Sequence, residues 1–325
     1  MIAEGTMKAV VYDAYGPPEV LKLREVDMPV PQDDEVLVRV QAASVNQWDW
    51  DFVRGKPLLV RLGGWRKPQY TILGADIAGV VEAVGGNVTR FRSGDSVFGD
   101  ISGSGWGGFA EYAAVGENAL ALKPAGLSFE QAAAVPQAAV LALQALRQGG
   151  VRPGLQVLIN GAGGGVGTFA VQLAKSFGAE VTGVDSPAKL EMVRSIGAEH
   201  VIDYTAEDFT RTGRRYDLIL DVAAHHSVFA YERALNRGGS YVLVGGSTPA
   251  LLQVLVIGAL MPIARKKTMS LLMHTPNKEL RTVSDLIETG RVAPVIDRRY
   301  PLSRVAEAVR YLGEGNAQGK VVITM

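Results

Sequence analysis

The chain contains no cysteine in its 325 residues. That removes disulfides, thiolate nucleophiles and cysteine-ligated zinc or iron together, and it fits a reducing compartment. Net charge is missing as well. The 33 basic residues balance the 33 acidic ones without long single-sign runs, so nothing points to nucleic acid or another polyanion. Long apolar runs are scarce. The one candidate, Ala250 to Ala264, is about half a dozen residues short of a bilayer span. It is broken by Gly258 and Pro262 and leads into Arg265, Lys266 and Lys267. It reads as a buried or subunit-facing helix, with a peripheral membrane contact through an apolar helix with a basic end as the alternative. Met1 to Thr6 lack the basic start and apolar core of a secretory signal and read as an extension, which together with the missing cysteine suggests a cytoplasmic protein.

The length has room for two ordinary domains, and 47% hydrophobic content is enough to fill two cores. The first stretch alternates like strands and is punctuated by Gly, Pro and Asp. Strands are expected at Lys8 to Tyr12, Leu21 to Glu25, Glu35 to Ser44, Ala78 to Val84, Ser96 to Phe98 and Phe109 to Ala114. From about Ser128 alanine-rich helical segments take over, Phe129 to Val135 and Ala138 to Gln148. Then the apolar runs QVLIN, EVTGV, HVIDY, YDLILDV and SYVLVGG alternate with helices. Repeated βα units imply a parallel sheet covered on both faces, a doubly wound Rossmann domain. An amphipathic helix at Asn277 to Thr289, a helix at Leu302 to Leu312 and a strand opened by Lys320 follow, and that tail has no obvious place in the parallel sheet. The expected division is 1–127 mostly β, 128–275 nucleotide-binding, and 276–325 returning to the first domain, with the active site in the cleft between domains.

Residues 156–175 carry the most information. A short apolar run empties into five glycines within seven residues, and Val166, Phe169, Ala170, Leu173, Ala174 and Phe177 then recur at helical spacing. A backbone that turns tightly and brings N–H groups close to a pyrophosphate has no room for Cβ atoms, and the helix N-terminus adds partial positive charge. The spacing is irregular: the match is Gly161-x-x-Gly164-x-x-Gly167, or Ala162-x-Gly164-x-x-Gly167. Its context is the required one, strand, turn, helix and a second strand ending in Asp185. Gly161, Ala162, Gly163, Gly164, Gly165, Val166 and Gly167 are therefore candidate cofactor contacts. Val244, Gly245, Gly246 and Ser247, after the fifth strand, are either further contacts at the carboxyl edge of the sheet or a plain strand-ending turn.

Taken in order, MKAVVYDAYGPPEVLKL, AASVNQWDWDFVRG, LGADIAGVVEAVG, SGDSVFG, GGFAEYAAV, NGAGGGVG, IGAEHVIDYT and QGKVVI make this chain resemble the zinc-free branch of the medium-chain dehydrogenase/reductase superfamily, the quinone oxidoreductase and enone reductase group. The resemblance runs from Met7 to the last strand. It implies a GroES-like β catalytic domain beside the Rossmann domain, a homodimer, and a quinone or α,β-unsaturated carbonyl as substrate. It also puts Asn46 where zinc-dependent relatives carry a ligand cysteine and Ala75 where they carry a ligand histidine. Only Asp100 to Trp106 separate GDSVFG from GGFAEY, too little for a four-cysteine zinc loop. No metal site is expected, and the adjacent His225 and His226 should point apart.

Without a Lewis acid, alcohol oxidation lacks its main electrostatic help, whereas a conjugated carbonyl accepts hydride directly. Such a site needs alignment and hydrogen-bond donors more than strong acids. Asn46 and Asp49, in the family's Asn-x-x-Asp, are the candidate catalytic residues. Asn46 either donates an amide hydrogen bond to substrate or nicotinamide ribose, or satisfies a local turn. Asp49 is expected to order the loop rather than transfer a proton. Trp48, Trp50, Phe52, Trp65, Tyr70 and Trp106 could line a pocket for a flat substrate, although most should be ordinary core. The cofactor is NAD(P)(H). Asp185 favours NAD(H) because a carboxylate binds ribose hydroxyls and repels a 2′-phosphate, while Ser186, Lys189 and Tyr204 lie where NADP(H)-using relatives hold that phosphate. The alternatives to a reductase are a catalytically weak NAD(P)H-binding sensor or scaffold and an alcohol dehydrogenase.

Overall fold

The computed structural model describes residues 5–62, 64–246, 248–258 and 267–325. Ser247 and residues 259–266, the end of the apolar stretch with Arg265 and Lys266, lie outside the described residues. The chain forms two compact units. One comprises Met1–Val140, Pro276–Ser284 and Pro294–Met325, the other Leu141–Thr275 and Asp285–Ala293.

The first unit opens with strands β1 (Thr6–Val11) and β2 (Lys22–Asp27), paired as an antiparallel ribbon. Strand β3 (Glu35–Val45) leads into helix α1 (Gln47–Arg54), and β4 (Asp76–Val84), β5 (Ser96–Asp100), β6 (Tyr112–Gly116) and β7 (Ala121–Leu122) follow. Helix α2 (Phe129–Ala133) starts where Ser128 and Gln131 satisfy each other's backbone N–H groups, a capping box, and α3 (Pro136–Gln148) comes next. Strand β3 is the hub of the sheet, since β4, β6 and the last strand all pair with it. Val36, Leu37, Val38, Val40, Ala42 and Ala43 are all buried where a half-exposed strand would alternate, so both faces of this strand are covered over most of its length.

In the second unit, β8 (Gln156–Asn160), α4 (Gly165–Ser176), β9 (Glu180–Asp185), α5 (Leu190–Ser195), β10 (His200–Asp203), β11 (Tyr216–Asp221), α6 (Val228–Ala234), β12 (Leu235–Leu243), α7 (Thr248–Gln253) and β13 (Thr268–Leu271) alternate. All six strands run parallel in the order β10-β9-β8-β11-β12-β13. Counted from β8, this is the doubly wound order 3-2-1-4-5-6, whose direction reverses between β8 and β11. Strand β13 completes the sheet without having been expected, because four residues are too few to show a period. Lys267, expected in a basic helix end, is instead buried at the head of β13. Its Nζ donates to the Glu232 carbonyl at 2.7 Å and to its carboxylate at 2.8 Å.

The tail finds its place in the first unit. Strand β14 (Ile296–Pro301) runs parallel to β15 (Lys320–Thr324), and β15 lies antiparallel to β3 with Val321 opposite Val45. The helix Val305–Gly313 between them packs so closely on Trp50 that a Cβ on Gly313 would sit 2.0 Å from the indole. Earlier in the same unit, Asn277 stands in for a strand. Its side chain accepts from the Asp100 N–H at 2.8 Å and donates to the Asp100 carbonyl at 2.7 Å.

Candidate active site

In the second unit β8 delivers its last residue to the switch point, and the glycines follow at once. Gly161 has a left-handed φ of +82°, and its N–H and that of Ala162 both donate to the Val184 carbonyl. Gly167 is required by the chain itself: a Cβ there would lie 2.0 Å from the Gly161 carbonyl oxygen. Gly164 is not. A Cβ there would meet only that same oxygen, at 3.5 Å, an ordinary contact. Gly164 is also the N-cap of α4, and no side chain caps the helix. The first turn of α4, with Gly165 and Val166, thus presents backbone donors beside a space that a Cβ would fill, the arrangement that fits a pyrophosphate.

Asp185, at the end of β9, is tied to this turn. One carboxylate oxygen accepts from the Gly163 N–H at 2.7 Å, the other from the Ser186 N–H at 2.8 Å, and Lys189 Nζ stands 3.8 Å away. Lys189 also leans on Gly163, where a Cβ would come within 2.8 Å of its own Cβ. Tyr204 is exposed, and its N–H donates to the Asp185 carbonyl. The four candidates Asp185, Ser186, Lys189 and Tyr204 therefore share one edge with the glycine turn. The N–H groups of Val244 and Gly245 donate to the Asp221 carbonyl, and Gly246 pairs with Ala224 as an isolated bridge.

A second polar group at this edge was not singled out from sequence. Asn160 Nδ2 donates to Asp221 at 2.8 Å, joining the ends of β8 and β11 across the switch point, and the Tyr241 hydroxyl donates to the same carboxylate at 2.9 Å. Burial pushes the Asp221 carboxyl up, against the hydrogen bonds from Tyr231, Asn160 and Tyr241. The Tyr231 hydroxyl in turn accepts the N–H groups of His225 and His226. Contrary to expectation, those two rings do not point apart. Their centroids lie 4.2 Å from each other, since His226 packs edge-on against Phe209 and Tyr231 while His225 bonds back to the Ala223 carbonyl.

Asn46 and Asp49 belong to the first unit. Asn46 follows β3 and is the N-cap of α1; Asp49 is the third residue of that helix. The Asp49 carboxylate accepts from the Asn46 N–H at 2.7 Å and from the Gly74 N–H at 3.0 Å, so both its oxygens hold backbone in place. It is fully buried, and burial pushes its carboxyl up to about 7 against those two hydrogen bonds. The Asn46 side chain, 6% exposed, closes a capping box with Asp49 at the start of α1 and also reaches beyond it. Nδ2 donates to Asp76 at 2.9 Å, and Oδ1 accepts a hydrogen bond from Lys320 Nζ. Asp76 further accepts from Ser44 Oγ at 3.0 Å and from the Gln137 N–H at 2.9 Å, with Lys320 Nζ at 3.4 Å. Burial raises the Asp76 carboxyl and Lys320 opposes it; burial likewise lowers Lys320 and Asp76 opposes that. Asp76 and Lys320 were missed as site residues. The available signal was a charged residue of opposite sign opening each of two apolar runs, Asp76 before IAGVV and Lys320 before VVI.

Around this cluster four rings pack together. Trp106 is buried and meets Phe52 edge-on at 5.0 Å, Tyr70 at 6.0 Å and the half-exposed Trp48 in a stack at 6.5 Å. Trp50 packs against Gly313 with Arg54 over its ring, and Trp65 is exposed outside the cluster. Among the described residues no group of three His, Cys, Asp or Glu side chains is arranged to hold a metal. The Asn46 amide oxygen faces the Lys320 ammonium, which would repel a cation there, and Ala75 beside Asp76 is a buried methyl.

Comparison with known proteins gives the family. A model of the alcohol dehydrogenase GroES-like domain matches residues 32–125, one of the alanine dehydrogenase/PNT C-terminal domain matches 131–225, and one of zinc-binding dehydrogenases matches 196–323. The 2-methylene-furan-3-one reductase of Solanum lycopersicum is 38% identical over 98% of this chain and 79% of its own length. The chloroplastic NADPH-dependent alkenal/one oxidoreductase of Arabidopsis thaliana is 36% identical over the same shares. The structure of the quinone oxidoreductase from Coxiella burnetii superposes with a TM-score of 0.90 at 30% identity, covering 99% of this chain and all of that one. The chain belongs to the medium-chain dehydrogenase/reductase superfamily, in its quinone oxidoreductase-like branch, and it is an oxidoreductase.

Proposed function

We propose that this chain reduces a quinone or an α,β-unsaturated carbonyl with NAD(P)H and without a metal ion. The observation that carries the reading is the Asn46 amide held between Asp76 and Lys320, a hydrogen-bond donor backed by a buried cation. The relatives named as reductases of furanones, alkenals and enones point the same way.

The glycine turn fits a dinucleotide because the chain itself gives no reason for the missing side chain at Gly164. The backbone donors of Gly163 to Val166 would hold the pyrophosphate, and Asp185, Ser186, Lys189 and Tyr204 the adenosine ribose. Val244 to Gly246 would add backbone contacts; Ser247 lies outside the described residues. When bound, a reduced nicotinamide supplies the hydride. The chain's own work is to orient the acceptor and to donate from Asn46 to the oxygen on which negative charge develops. Asp49 keeps Asn46 and Gly74 in position, and water supplies the final proton. We infer that Asp185 gives NAD(H) a modest preference that Lys189 partly offsets, since carboxylate and ammonium nearly cancel at a 2′-phosphate. A homodimer is part of the proposal, with the outer edge of β13 as one place for a second copy, and a cytoplasmic location fits the absence of cysteine.

A panel of quinones and enones assayed with each cofactor tests the whole reading. Oxidation of cofactor insensitive to chelator is expected. Binding of cofactor with no turnover on any acceptor would favour a sensor, and chelator-sensitive alcohol oxidation would favour a zinc alcohol dehydrogenase. A preference for NADPH of about tenfold, worth about 1.4 kcal/mol, would overturn the Asp185 argument.

A further inference from the structure

Two lysines are buried among the described residues. Lys267 is accounted for by Glu232. Lys320 is 2% exposed and is bonded to a residue that the reading above places at the substrate. Strand register brings the group together: Ser44 lies opposite Asp76 between β3 and β4, and Val321 lies opposite Val45 between β15 and β3. Asn46 just beyond β3, Asp76 opening β4 and Lys320 opening β15 are therefore neighbours by construction.

An ammonium has only donors and an ionised carboxylate only acceptors, so the usual ambiguity of an amide's orientation does not arise here. Lys320 must take Oδ1, and Asp76 must take one Nδ2 hydrogen. Asp76 cannot swing aside, because Ser44 and the Gln137 N–H also hold it. One Asn46 N–H is left for a ligand. A cation on Oδ1 also draws electron density out of the amide and strengthens that donor.

We propose that Lys320 is a positioning residue: with Asp76 it locks and polarises the Asn46 amide so that an N–H meets the acceptor's carbonyl oxygen as charge develops there. This rests on the reading that Asn46 faces the substrate. Lys320 never touches substrate and acts through Asn46 alone.

The test compares the unsubstituted chain with Lys320→Met and with the paired variant Asp76→Asn/Lys320→Met, which removes both buried charges and leaves the amide free to turn. With 3-penten-2-one as acceptor, the paired variant should remain folded and bind NADH within about threefold of the parent. Its kcat should fall at least about tenfold while KM moves less than about threefold, the pattern of an interaction made in the transition state. A kcat within about twofold of the parent would overturn the role of Lys320. An unsubstituted chain that reduces no acceptor would instead overturn the functional reading. A second measurement needs no folded charge variant. The Asn46 side-chain amide signals, assigned by their loss in Asn46→Asp, should show one proton shifted by the carboxylate bond. The other should move when 2-pentanone is added to the NAD⁺-loaded chain. An amide that ignores the ketone would refute the proposal whether or not the variants fold.

Discussion

The glycine turn of the second unit and the Asn46 cluster of the first are built in opposite ways. In the turn, side chains are removed so that backbone donors stand open at the end of a helix, and the Asp185 carboxylate is used to hold the backbone. In the cluster, where Asp100 of β5 lies opposite Asp76 of β4, backbone is covered and four ionisable side chains, Asp49, Asp76, Asp100 and Lys320, lie at or below 2% exposure. The first design leaves the chain no room for a Cβ at Gly167 but leaves it room at Gly164. The second tolerates isosteric change and is sensitive to every charge removed singly.

The comparison breaks most readily at Lys320. Lys320→Met alone leaves Asp76 as an uncompensated buried carboxylate and should cost about 3–5 kcal/mol in chemical denaturation, with most of it recovered by adding Asp76→Asn. If the single change is harmless, the cluster is not charge-balanced. Next comes acidity. Because the folded pKa of Asp49 is raised to about 7, its neutral form contributes stability that is full below the ordinary carboxyl range. That contribution declines as pH rises and is gone above about 7. Unfolding free energy followed over this range should fall, on the order of 4 kcal/mol in all, and Asp49→Asn should flatten the curve whatever its own stability. A parallel curve for the variant would assign the slope to other groups.

The turn is probed by two glycines that differ in what excludes a side chain. Gly167→Ala forces a Cβ onto the Gly161 carbonyl and should cost about 1–3 kcal/mol of stability as well as cofactor binding. Gly164→Ala should leave stability within about 0.5 kcal/mol and still weaken NADH binding about tenfold by fluorescence titration, since only the ligand needs that space. Equal stability losses would mean that the chain, not the cofactor, requires both. The smallest effect is expected from Asp185→Asn, which keeps an acceptor for the Gly163 N–H but removes the charge. The ratio of NADPH to NADH affinity should rise about fivefold, and an unchanged ratio would detach Asp185 from cofactor choice.

Much of this was legible in the chain. The order of the βα units, the helix entry at Ser128 and the glycine turn rest on local periods and caps that short windows reveal. Strand β13 was not legible because TMSL is too short to carry a period. Asp76 was quoted only as part of a motif and Lys320 only as the start of a strand, because their meaning lies in a contact across 244 residues. The same holds for Asp185. Its position at a strand end was readable, but its bond to the Gly163 N–H depends on how tightly the turn folds back.

That long separation also bears on how the protein is made. Asp49, Asp76 and Asp100 leave the ribosome early, and Lys320 follows Asp76 by 244 residues. At about 5–20 residues per second the acids wait on the order of ten to fifty seconds for their counter-ion. Throughout that interval the whole second unit is synthesised and has a complete sheet available to it, while β3 still lacks β15. The strands of the second unit's sheet are therefore all synthesised before the first unit's set is complete, and a single late strand brings in both the missing partner of β3 and the missing charge.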